Sequence, residues 1–262
     1  ENGKPVPAQF IRRASWYPNG AQVKWMGLNF LARYDGGRPR QYVVKMSAAD
    51  ANSEPTALKV TESDSHFTVN TGVIQFSVGR KRFAGIEEAR LVTPGGGLGE
   101  PILKGDGGPF LMDERLYAYS SILDDKTSVA IEEAGPVRVT LCASGWYTND
   151  MAEKVCLYQT RISAYAGLPR IDIKHRTVIT FDTDKKRLRE LGFALRPAGA
   201  ARYAFGADGK TIAGETDAKE TVWLHQDRWN HFRVGRGGET EIASGAKSDG
   251  WASASTPNGS IL

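Results

Sequence analysis

The sequence predicts an all-β protein of two domains. Three observations carry this. Apolar residues alternate with period two along much of the chain, no segment of ordinary length has a helical apolar stripe, and the turns are rich in glycine. Glycine occurs 29 times, and aromatic residues make up 10% of the 262 positions. Aromatic and β-branched residues between glycine-rich turns suit a many-stranded protein. The chain is long enough for two domains, each with its own core.

Taken in order, Gln22–Phe30 alternates and places Val23, Trp25 and Gly27 on one face. Gln41–Met46 and Thr68–Val78 read as further strands. Ala84–Leu91 could form one short helical turn, weakened by Gly85. Pro94–Gly99 and Gly105–Pro109 read as loops around an interdomain crossing. A long hairpin is expected at Val137–Tyr147 and Val155–Tyr165, reversing at Thr148-Asn149-Asp150. Ala166-Gly167-Leu168-Pro169 then turns the chain into a strand at Arg170–Ile179. These lengths place a boundary near residue 108: shorter strands over 1–108 suggest a small barrel or sandwich, and long strands over 109–262 suggest a β-sandwich. The chain starts at Glu1 and stops at Ser260-Ile261-Leu262, an apolar step after the turn Pro257-Asn258-Gly259, so both ends read as cuts in a longer protein.

The charge is mild, +4 from 34 basic and 30 acidic residues. The one dense basic run, Lys185–Arg189, reads as a solvated turn and strand start rather than a nucleic-acid site. A weakly basic surface suits an acidic polymer such as a polyuronate. No apolar run approaches the ~20 residues that span a bilayer. Cys142 and Cys156 flank the Asn149-Asp150 turn, so a cross-strand disulfide and two unpaired thiols both remain open. The Gly95–Gly99 run lacks the Lys-Ser/Thr and helix of a phosphate loop.

The densest chemistry is Trp223–Arg233. Read as one strand, it puts His225, Asp227, Trp229, His231 and Arg233 on one face. An indole to stack on a sugar ring, cations for a carboxylate and imidazoles for proton transfer fall together there. The alternative is a solvated edge strand or an interdomain seam. His225, Trp229 and His231 are the substrate-contact candidates, joined by Arg228 if a bulge re-aims it. His175, between Lys174 and Arg176, reads as structural, and His66 as solvated. The carboxylate pairs Glu87-Glu88, Asp124-Asp125 and Glu132-Glu133 are sequence neighbours that point apart on a strand, which argues against a glycosidase. No cofactor or metal is indicated, although Asp106 and Asp124-Asp125 could hold Ca²⁺.

Four segments, in order, carry a resemblance. They are Pro5–Phe10 with Ala14–Trp25, Ile131–Val139 (IEEAGPVRV), Tyr158–Gly167 (YQTRISAYAG) and Trp223–Asp227 (WLHQD). Together they resemble the N-terminal part of the exo-rhamnogalacturonan lyase family. The resemblance implies a small N-terminal RIFT-type barrel followed by a β-sandwich, in a secreted or periplasmic protein. It also implies β-elimination on a uronic-acid polysaccharide of rhamnogalacturonan or ulvan type, with the catalytic residues in an α/α toroid beyond Leu262. This fragment alone would then be inactive. A non-catalytic carbohydrate-binding or structural module is the rival reading. Within the first motif, Trp16 and Trp25 flank the Pro18-Asn19-Gly20 turn and are expected to be core anchors.

Overall fold

The computed structural model describes residues 5–20, 22–32, 36–37, 40–45, 56–217, 220–238 and 240–262. Its regular structure is β throughout, apart from one short 3₁₀ turn at Ser121–Leu123. Strands β1 (Ala8–Ser15) and β2 (Val23–Phe30) form a two-stranded antiparallel hairpin. A five-stranded meander follows in chain order: β3 (Lys59–Glu62), β4 (His66–Asn70), β5 (Ile74–Gly79), β6 (Glu88–Val92) and β7 (Leu98–Lys104). The seven-stranded sheet contains β8 (Gly108–Asp113), β9 (Ala118–Ser120), β10 (Ser128–Ala134), β11 (Arg138–Thr148), β12 (Lys154–Tyr165), β13 (Ile171–Val178) and β14 (Leu188–Ala194). Its spatial order is β13-β12-β11-β9-β8-β14, with β10 along β11.

These two sheets share one core. Phe67, Val69, Phe76 and Val78 of the first sheet are buried in the same cluster as Leu111, Leu141, Tyr147, Tyr158 and Ile162 of the second. Alternate residues supply it, because period-two side chains point to one face. Residue 108 therefore starts a strand inside a continuous core and does not divide two cores. Among the described residues before 108, the strands are the β1–β2 hairpin and the five-stranded meander that forms one wall of the sandwich. Pro94–Gly97 only turns β6 into β7, whereas Gly105–Pro109 is a crossing between sheets, where Gly85 (φ 76°) and Gly108 (φ 86°) approach backbone to backbone and a Cβ on Gly85 would lie 2.9 Å from the Gly108 nitrogen. That contact replaces the helical turn considered at Ala84–Leu91, where β6 forms instead.

The 138–165 hairpin and the strand after Gly167 form as the alternation predicts. Asn149 closes the hairpin turn, its Oδ1 accepting from the Met151 and Glu153 amides at 3.1 and 2.8 Å. Cys142 faces Arg161 across the pair, whereas Cys156 is the extra residue of a bulge at φ 56°. The two cysteines are thus about 17 Å apart along the hairpin, well beyond the ~7 Å Cα limit for a disulfide, and both are free thiols. Thr68–Val78 is two strands, reversing at Gly72 (φ 89°). Residues 41–45 form no strand, and Met46 lies outside the described residues.

Two smaller sheets complete the chain. One is built from β15 (Arg202–Ala207), β16 (Lys210–Glu215), β20 (Ser248–Thr256) and β21 (Gly259–Ile261). The other contains β17 (Val222–Arg228), β18 (His231–Arg236) and β19 (Thr240–Gly245). Ala207, Phe232 and Val234 make a small core between them, flanked by Phe205 and Leu224.

The N-terminal hairpin docks through its polar residues. Glu133, with 7% of its side chain exposed, accepts from Gln9 Nε2 (2.7 Å), Asn29 Nδ2 (3.2 Å), Arg13 (3.3 Å) and the Arg138 guanidinium (3.1 and 2.5 Å). Gln9 Oε1 in turn accepts the Val137 and Arg138 amides, and a Cβ on Gly135 would strike the Gln9 side chain at 2.3 Å. Trp16 and Trp25 are not core anchors: they are 61% and 64% exposed. Among the described residues the hairpin pairs with no third strand, so its apolar alternation has no covering sheet.

Several charged groups are more engaged than their sequence settings suggest. His66 meets Glu87 (2.8 Å) and Ser65 (2.8 Å). Lys185 is solvated, but Lys186 turns inward to Tyr119 Oη (3.3 Å), Asp113 (3.5 Å) and Glu153 (3.7 Å). Asp106 is held bidentately by Arg82, and Lys154 bridges Asp124 and Asp125 at 3.0 and 3.1 Å, so the carboxylates considered for Ca²⁺ face cations of the protein. Glu132 pairs with Arg161 while Glu133 turns inward, as neighbours on a strand should.

His175 is structural. Its nitrogens share hydrogen bonds with Tyr147 Oη (2.7 Å) and Thr160 Oγ1 (2.8 Å). Burial, rather than the adjacent cations, lowers its pKa, and burial pushes Tyr147 up to about 12.

Two outcomes follow. Glu133→Ala leaves a partly buried guanidinium and two amide-type donors without their acceptor, an expected loss of about 2–3 kcal/mol. Hydrogen exchange should show the largest loss of protection in β1–β2; unchanged protection there would contradict the docking role. For His175, a folded pKa below the ~6.5 of the unfolded chain means its contribution is complete above that value. It is lost as pH falls from about 6.5 toward the lower folded pKa. Melting temperatures between about pH 7.5 and pH 5 should therefore fall more for the wild type than for His175→Gln.

Candidate functional site

The Trp223–Arg233 segment is a hairpin rather than one strand. Chain reversal occurs at Trp229-Asn230, between β17 and β18. The pairing runs Trp223 with Gly235, Leu224 with Val234, His225 with Arg233 and Gln226 with Phe232. Leu224, Phe232 and Val234 face the small core, which sends Trp223, His225 and Arg233 to the outer face.

A bulge then intervenes. The register shifts between Gln226 and Arg228, so Arg228 stands opposite His231 and Asp227 is the extra residue. Opposed residues share a face, and His231 shares that of Arg233 by alternation. His225, Arg228, His231 and Arg233 therefore gather on one side of the hairpin. The bulge that Arg228 needed in order to join is present.

Trp229 is not on that strand face. It occupies the reversal, 87% exposed, with its indole at the tip. Gln226 holds the tip in shape: its Nε2 donates to the Arg228 and His231 carbonyls, and its Oε1 accepts the Ser248 amide at 2.7 Å. Asp208 pins the neighbouring loop through the Ala246 and Lys247 amides at 3.0 and 2.8 Å.

His231 Nδ1 lies 2.7 Å from Asp227 Oδ1, and this contact holds the Asp227 carboxyl below the usual range. A carboxylate on Nδ1 fixes the orientation of the ring and directs Nε2 away from it. The imidazole is half-exposed. The two guanidiniums offer planar forks for a carboxylate. Among the described residues, no group of three His, Cys, Asp or Glu is placed to hold a metal ion.

The sequence singles out this cluster of residue types but does not show the turn at Trp229-Asn230 or the part of Gln226 in shaping it. Nor does it show the Gln9–Glu133–Arg138 junction as a contact, although it singles out both segments that form it. The signal is Gln9, a polar residue between the apolar Ala8 and Phe10, and the Glu132-Glu133 pair just before Ala134-Gly135-Pro136.

A model described as the PcRGLX-like protein central beta sandwich domain matches residues 58–200, more than half of the chain. Comparison with curated proteins finds no match. The matched span runs from just before β3 to just beyond β14 and so takes in both sheets of the sandwich and their common core. The chain belongs to the PcRGLX-like, exo-rhamnogalacturonan lyase-like family, and residues 58–200 are its central β-sandwich domain.

Proposed function

We propose that this chain is part of a secreted or periplasmic polysaccharide lyase that acts by β-elimination on a uronic-acid polymer of rhamnogalacturonan or ulvan type. Membership in the exo-rhamnogalacturonan lyase-like family is the observation that carries this reading. In such a reaction the C5–H bond of the uronate breaks, and a base takes the proton. The electron pair forms the C4–C5 double bond, the C4–O bond breaks, and the leaving glycosidic oxygen takes a proton. The step is redox-neutral. Its main demand is a cation at the substrate carboxylate, which makes the adjacent proton acidic.

The β17–β18 hairpin is suited to part of this task. Arg228 and Arg233 can bind the carboxylate, His225 and His231 can donate to sugar hydroxyls, and Trp229 can stack on a ring face. In this proposal the hairpin is a substrate wall, and the proton-transfer groups come from a toroid domain outside this chain.

The chain alone should produce no ultraviolet-absorbing unsaturated uronate from rhamnogalacturonan or ulvan. Product formed by the purified chain and abolished by His231→Ala would move catalysis into this hairpin. In the full-length protein, Trp229→Ala and Arg228→Ala should raise KM, with stability changed by no more than about 0.5 kcal/mol. Lost stability with unchanged kinetics per folded molecule would instead make the hairpin an interdomain seam.

A further inference from the structure

We infer that the outer face of the β1–β2 hairpin is a second binding platform for acidic polysaccharide, separate from the β17–β18 hairpin. The inference rests on the reading of the partner as a uronic-acid polymer. Its observations come from a different part of the chain.

The alternation of the hairpin assigns its two faces. Gln9, Arg13 and Asn29 point to Glu133 and form the docked side. Phe10 with Leu28, and Arg12 with Met26, are directly opposed pairs on the other side. Lys24 is the extra residue of a bulge between Val23 and Trp25, and its ammonium lies 4.4 Å from the centroid of the Trp16 ring, so these two side chains sit together at the turn end of the strip. Phe10, Met26 and Trp16 are 48%, 58% and 61% exposed. From Lys24 to Leu28 the strip extends about 13 Å along the strand.

Its charge is one-sided. From Pro5 to Ala32 the sequence has three basic residues, Arg12, Arg13 and Lys24, and no Asp or Glu. Arg13 is committed to Glu133, whereas Arg12, opposite Met26, and Lys24, at the bulge, are both exposed. One Arg12 nitrogen donates to the Gly20 carbonyl at 3.0 Å, which braces the guanidinium against the turn. Lys24 is braced by the indole. Apolar area with two braced cations, on a hairpin whose own segment has no acid, complements a chain of pyranose rings bearing carboxylates: ring faces stack on Trp16 and the aliphatic strip, and carboxylates meet Arg12 and Lys24. A neutral glycan would leave the cations unused. A purely apolar partner would bury them without a counter-charge.

The test is affinity electrophoresis of the full chain through gels holding polygalacturonate, dextran or single-stranded DNA, with calorimetry for affinities. Polygalacturonate should retard the chain, dextran should not, and added salt should weaken retardation. Trp16→Ala should weaken binding about tenfold with the melting temperature unchanged. Lys24→Glu should abolish it, and Trp25→Ala, on the docked face, should leave it intact. Equal retardation by dextran, tighter binding to DNA, or loss with Trp25→Ala but not Trp16→Ala would overturn the inference. Trp229→Ala tests the other hairpin: loss there with Trp16→Ala intact sinks this platform alone, whereas no polygalacturonate binding by any form sinks this platform together with its acidic-polymer premise.

Discussion

The Glu133 carboxylate governs how the N-terminal hairpin meets the sandwich. A carboxylate this enclosed is tolerable only with its charge matched and its lone pairs occupied. Arg138 provides the charge from the first residue of β11, while Gln9, Asn29 and Arg13 provide donors from the other body. Gln9 then returns two acceptances to the backbone entering β11, in space left open by Gly135. The result fixes register as well as position. A slip of β1 by one residue would turn Gln9 outward and press Phe10 onto the carboxylate, so the paired geometry is selected against its neighbours.

That junction sorts the molecule into a rigid scaffold and two presented hairpins. Inside the sandwich, polar side chains are closed on one another: Tyr147, His175, Thr160 and Thr177 form one network, and Tyr158 shares a 2.6 Å hydrogen bond with Thr127. Such groups tie neighbouring strands of one sheet together and offer little to a ligand. The β1–β2 and β17–β18 hairpins reverse this arrangement, placing indoles and cations in solvent while their inner faces are held by Glu133 and by the Phe232–Val234 core. Function on a rigid scaffold is commonly carried by such projecting segments. Lys24 over Trp16 and Asp227 against His231 preorder the exposed groups, so less conformational freedom is lost on binding.

The sequence by itself determined the strands and most reversals of the central hairpin, because period-two alternation of Val139, Leu141 and Ala143 is a local property that any covering layer will read the same way. It also determined which residue types cluster at Trp223–Arg233. Tertiary structure decided what covers each face. Trp25 lies on an alternating strand and Trp16 flanks its turn, yet among the described residues no third strand pairs with their hairpin, and burial depends on the neighbour rather than on the pattern. The Gly105–Pro109 crossing likewise reads as a domain joint in sequence, and only the single buried cluster that holds both Phe76 and Leu141 makes it internal to one core. Trp229-Asn230 lacks the glycine that marks tight reversals, so its turn was hidden among strand formers, and with it the bulge that brings Arg228 to His231. The meeting of Gln9 with Glu133, 124 residues apart, was beyond any local signal. A hydrogen bond at that separation is specified by the fold that delivers both partners, and the chain encodes it only through the sum of its packing.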